Sequence, residues 1–140
     1  MLDELRERCN RIEECYEFML AYAAQGLPGD RGSQSGGELR TFLGRCDEAL
    51  TGLAQVFTRI VDQEGLQHGD RYHAFIAVLD RDARDAQAAV QLVLAQPSIS
   101  SQLIDNLNAS IHLRALLTDL FLIDEIVKPQ HTATPTRSLD

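Results

Sequence analysis

The chain has 140 residues, with 13 lysines and arginines against 21 aspartates and glutamates, and a formal net charge of −8 at neutral pH. That length holds one domain with a sizeable core and falls short of two, and 44% apolar with 24% charged residues excludes the disordered, collagen-like and membrane compositions. The acidic balance offers no basic patch to displace counterions from a phosphate backbone, so nucleic acid is not an expected partner.

In chain order, Leu2, Leu5, Cys9, Ile12, Tyr16, Met19 and Ala23 recur at spacings of three and four, which predicts a helix over residues 3–25. The glycine-rich stretch 26–37 cannot continue it and reads as a flexible connection. It closes with Ser35 three residues before Glu38, the pattern of a capping box that opens a second helix, 36–64. This helix carries Leu39, Leu43, Cys46, Leu50, Leu53, Phe57 and Ile60 as its stripe. Its interior glycines, Gly44 and Gly52, each cost roughly 1 kcal/mol against alanine and ask for close approach of a neighbouring helix. A third helix, 70–96, starts with Asp70 as N-cap and presents Tyr72, Phe75 or Ile76, Leu79, Ala83, Ala86, Val90 and Val93. A fourth, 98–128, starts at a serine and stops at Pro129. Residues 129–140 read as a polar C-terminal tail without periodicity. The expectation is an all-α fold: residues 1–128 as an up-down-up-down antiparallel four-helix bundle with long helices.

Few residues carry chemistry. A di-iron bundle needs Glu-x-x-His on inward faces, and this sequence has only Asp70-Arg71-Tyr72-His73, at a helix start where capping accounts for Asp70. The three cysteines, Cys9, Cys15 and Cys46, form no Cys-x-x-Cys, so neither haem attachment nor a disulfide framework is expected. Antiparallel pairing of the first two helices sets Cys15 and Cys46 at one height, a candidate thiol pair, although Cys15 sits at the edge of its stripe. Cys9, His112 and Asp82 also share a height, without an oxyanion-stabilising loop beside them. His112 borders the apolar stripe and is expected to pack against it. The 26–37 loop lacks the P-loop lysine. No catalytic residue, metal ligand or cofactor is assigned.

The most informative stretch is Ala115–Val127, whose apolar residues point nearly all round the helix, more than one buried stripe explains. In the simple bundle, residues 121–128 overhang the start of the first helix. The uncovered end then comprises Leu66, Tyr72, Phe75, Ile76, Phe121, Ile123 and Val127, with Leu139 from the tail, and is expected to be a protein interface. No apolar run reaches membrane-spanning length, and the N-terminus lacks the order of a signal peptide. The expected function is that of a non-enzymatic, cytoplasmic interaction protein: an adaptor, assembly chaperone or small accessory subunit, self-associating as a homodimer, with a protein partner and neither nucleic acid nor membrane. The alternative is a ligand- or metal-binding helical bundle using core cysteine and histidine residues.

Overall fold

The computed structural model describes the backbone of residues 2–139 and the side chains of residues 3–127. Regular structure among the described residues is entirely helical: α1 (Leu2–Ala24), α2 (Gln34–Leu50), α3 (Leu53–Glu64), α4 (Gly69–Leu94), α5 (Ser101–Ala109) and α6 (His112–Leu139). The all-α expectation therefore stands, with six helices in place of four.

The two extra boundaries have backbone causes. Gly52 adopts φ 73°, in the left-handed region, and separates α2 from α3 where one helix was expected. Arg8 of α1 covers the break, its guanidinium donating to the carbonyls of Ala49, at 3.1 Å, and Thr51, two of the acceptors that a helix end leaves unpaired. Gln87 of α4 adds bonds to the Asp47 carbonyl and carboxylate and the Thr51 hydroxyl. Gly52 thus marks a break and not a close approach. At Gly44 a Cβ would meet nothing within 4 Å, so no neighbouring helix compensates that glycine. The second boundary is Ile111, at φ 64°, which ends α5 and starts α6.

The caps also differ from expectation. Ser33, not Ser35, caps α2, its side chain accepting from the Gly36 N–H at 2.9 Å. Ser100 caps α5 through the Leu103 N–H, and His68 at φ 63° precedes α4, leaving Asp70 in the first turn. α6 is helical past the stop expected at Pro129, since a proline removes one donor and bends a helix without always ending it. The side chains of the 129–140 stretch, Leu139 among them, lie outside the described residues.

α1 packs chiefly on α2 and α5, while α4 packs on α6, α3 and α2. All seven residues of the predicted stripe from Leu39 to Ile60 are buried, as are Leu79, Ala83, Ala86, Val90 and Val93 on α4. On α1 the buried face is Leu5, Ile12, Cys15, Met19 and Tyr22, while Cys9 and Tyr16 only flank it. Cys15 is therefore a core residue and not an edge one.

At one end of the molecule a polar knot ties the α1–α2 loop to the α4–α5 loop. Asp30, 7% exposed, is ion-paired to Arg40 and accepts from the Ile99 N–H at 2.6 Å. Arg40 also donates to the carbonyls of Leu94 and Gln96, at 3.2 and 2.9 Å. Tyr22 donates its hydroxyl proton to the Ile99 carbonyl, and Ser101 donates to the Tyr22 carbonyl while accepting from the Leu27 N–H. Gly36 fits only without a Cβ, which would overlap the Asp30 carbonyl oxygen. The glycine-rich loop is thus pinned by Asp30 instead of being a loose connection.

Candidate functional site

The feature that stands out from the packed core is the seam between α1 and α6. Two cavities lie along it. The first, of about 260 Å³, has a buried apolar floor of Leu5, Phe57, Leu79, Leu120, Ile123 and Val127. Arg6, Asn10, Glu13 and Asp124 stand at its mouth, with Cys9 between floor and mouth. The second, of about 220 Å³, lies between Glu13, Tyr16 and Glu17 of α1 and Arg114, Leu117, Thr118 and Phe121 of α6. Glu13 and Phe121 border both cavities, so the two form one groove. Low α1 numbers pair with high α6 numbers along it, which makes the helices antiparallel. Leu5 lines the same cavity as Val127, so α1 does reach the level of residues 121–127. The expected overhang does not exist; of the exposed apolar residues of α6, Phe121 borders this partly open seam, whereas Leu122 and Ile126 line neither cavity.

This geometry sorts the residues expected at an interface. Ile76, Ile123 and Val127 are buried in the chain's own core, and Leu66, Tyr72 and Phe75 pack half-buried against it. Tyr72 meets Phe57 edge-on, with ring centroids 6.2 Å apart. Phe121 stays open, at 51% exposure, and is joined by Leu122 at 50%, which the sequence pattern did not single out. Successive helical residues are separated by about 100°, so Phe121 faces the seam and Leu122 the adjoining outer surface.

Acidic side chains outnumber basic ones along the seam, Glu13, Glu17 and Asp124 against Arg6 and Arg114. Burial, followed by the charges of Glu17 and Asp124, pushes the Glu13 carboxyl above its ordinary range. Glu13, Glu17 and Asp124 form no ion pair among the described residues. Burial and the neighbouring charges of Glu13 and Asp124 push the Cys9 thiol up to about 12, which keeps it protonated and a poor nucleophile at neutral pH. The arrangement of Cys9 with His112 and Asp82 is not formed as a unit. The charges acting on Cys9 are Glu13 and Asp124, His112 is exposed and not packed on the core, and Asp82 meets Asp119 instead.

Cys15 and Cys46 are both fully buried, and the Cys15 thiol lies 3.7 Å from the Met19 sulfur. The interaction with Cys46, followed by burial, raises the Cys15 thiol and leaves it protonated. The pair behaves as small core side chains in this state. His73 lies 3.0 Å from Asp62 on the surface, away from any ligand set. Among the described residues no group of three or more histidines, cysteines or carboxylates is placed to hold a metal ion.

Two acidic features were not singled out from the sequence. Asp30 is held down to about 2 by its hydrogen bond from Arg40 and the Ile99 N–H, burial opposing them. Asp119 of α6 is pushed up to about 7 by burial and by the neighbouring carboxyl of Asp82 of α4, and its Oδ2 is buried without a hydrogen-bond partner among the described residues. Two neighbouring carboxyls repel when both are ionised, so this contact between α4 and α6 depends on its protonation. Neither partner was predictable from spacing, because each contact joins segments distant in the chain.

Comparison with protein-family models, with curated proteins and with solved structures finds no match for this chain. Among the described residues, no helix is long and apolar enough to cross a membrane.

Proposed function

We propose that this is a non-enzymatic, cytoplasmic protein that acts through its surfaces as an adaptor, assembly chaperone or small accessory subunit, and that it self-associates. The observation that carries the reading is the pair Phe121 and Leu122: large, adjacent, half-exposed apolar side chains on α6 beside an open seam. The protonated state of the thiols near the seam and in the core weighs against nucleophilic chemistry there. We further read the architecture as an up-down-up-down four-helix bundle in which α2–α3 and α5–α6 are each one interrupted helix. The short links at 51–52 and 110–111 support this.

Light scattering at micromolar concentration tests self-association. The wild type is expected to exceed the mass of one chain, and Leu122→Glu to return it toward one chain, because a carboxylate cannot enter an apolar contact without a partner. A strictly monomeric wild type overturns self-association. Affinity capture that retains no protein preferentially on wild type over Phe121→Glu overturns the wider surface-acting reading.

A further inference from the structure

We propose that the α1–α6 seam is a docking groove for a cationic amphipathic helix of about three turns, contributed by a partner protein. This rests on the surface-acting reading and deepens it by naming the chemistry of the partner.

The dimensions come first. The groove extends along α1 from Leu5 to Glu17, which at 1.5 Å per residue is about 18 Å, or three helical turns. The midpoints of its two cavities, near Cys9 and Tyr16, are two turns apart, the repeat of anchors at i and i+7 on one face of a docked helix. Phe121 stands between the cavities, half-exposed, and offers a ring for such a helix to lie against.

Charge then selects among occupants. Glu13, Glu17 and Asp124 gather on the border and have no cation paired with them among the described residues. Their mutual repulsion is relieved by lysines or arginines flanking the apolar stripe of an incoming helix, whereas an acidic helix adds to it. Arg6 and Arg114 stand at opposite ends, leaving the middle of the groove acidic. A second copy of this chain, with its net charge of −8, is a poor electrostatic match.

The test uses the whole protein and two synthetic peptides of roughly 14 residues that share one leucine stripe, one bearing lysines on its polar face and the other glutamates. The lysine peptide is expected to bind, with affinity falling as salt rises from about 0.1 to 1 M and the Debye length shrinks from about 10 to 3 Å. The glutamate peptide is expected not to bind. The triple variant Glu13→Gln, Glu17→Gln, Asp124→Asn should weaken lysine-peptide binding about tenfold or more. A control that removes equal charge elsewhere, Glu38→Gln, Glu64→Gln, Asp105→Asn, should weaken it less than about twofold. Phe121→Ala should also weaken it, and unchanged circular dichroism confirms that each variant is folded.

Equal loss in the two triple variants, equal binding of both peptides, or no binding of the lysine peptide overturns the proposal. Conversion of a wild-type dimer to monomer by the groove variant identifies a second copy as occupant and overturns it too, while supporting self-association. No lysine-peptide binding by a protein that still self-associates through Leu122 removes this inference and leaves the surface-acting reading in place. A monomer that retains no partner removes both.

Discussion

Asp30 joins chain segments that have no local reason to meet: its carboxylate takes hydrogen bonds from Arg40 at the start of α2 and from the Ile99 backbone beyond α4. A buried carboxylate is tolerable only when paired in this way, and removing one partner of such a pair leaves the other charge without compensation. Asp30→Ala is expected to lower stability by about 3 kcal/mol, measured as a reduced urea midpoint with little change in slope. A loss below about 0.5 kcal/mol, the size of an ordinary surface substitution, would place the anchoring of this loop elsewhere. In the sequence Asp30 is one polar residue in a run of glycines, which reads as a turn. Its role depends on Arg40, ten positions on, and on Ile99, 69 positions on, and no periodicity connects them. Cys15 and Cys46 are the contrasting case. Antiparallel pairing of two consecutive helices placed them at one height before any packing was known, and both side chains are fully buried in the core.

At the scale of elements, helix phase was legible wherever the apolar stripe was narrow. The stripe from Leu39 to Ile60 and that of α4 bury the residues that spacing selects. On α1 the phase was ambiguous because apolar residues border both sides of the face. The buried set repeats every seven residues through Leu5, Ile12 and Met19, with Cys15 and Tyr22 three residues after the second and third of these, and leaves Cys9 and Tyr16 on the flank. The breaks differ in legibility for a physical reason. Gly52 is a residue that enters the left-handed region at little cost, so its position was a visible candidate for interruption. Ile111 is β-branched and gives no such signal, yet it adopts φ 64°, held between the capped end of α5 and the first turn of α6. A left-handed conformation costs an L-residue with a Cβ about 1–2 kcal/mol. Glycine removes that cost and adds part of it back through the freedom of the unfolded chain. Because Ile111 is 54% exposed, little packing is lost, and Ile111→Gly is expected to raise stability by about 0.5–1 kcal/mol, or about 2–4 °C in melting temperature. A lowered melting temperature would mean that the isoleucine side chain holds the α5–α6 junction more than its backbone strains it.

For the whole molecule, the excess apolar surface of α6 was legible, but the open seam beside it was not. Spacing along one helix shows how many apolar residues it carries, whereas the open seam depends on how far α1 stands from α6. The same scale governs the response to pH. Asp30, held at about 2 in the fold, contributes stability that is complete above about pH 4, the ordinary carboxyl value, and is lost as pH falls from there toward 2. Asp119 acts in the opposite sense. Its carboxyl, at about 7 in the fold, keeps a proton between about pH 4 and 7 that the unfolded chain releases, so stability declines as pH rises through that window and levels off above it. Glu13, also raised, adds to the decline. Together they place the stability maximum near pH 4–5, below the usual range of roughly 5–8. Self-repulsion is also least near the pI of about 4.9, so the maximum alone does not identify its source. Asp119→Asn does: the amide cannot ionise, removes one charge from the contact with Asp82, and should flatten the decline between pH 4 and 7. The expected gain at pH 8 is about 1–2 kcal/mol after allowance for solvent screening, with little change at pH 4. Urea midpoints measured from pH 3 to 8 on wild type and variant decide the matter, and an unchanged decline in the variant would assign it to the net charge of the chain.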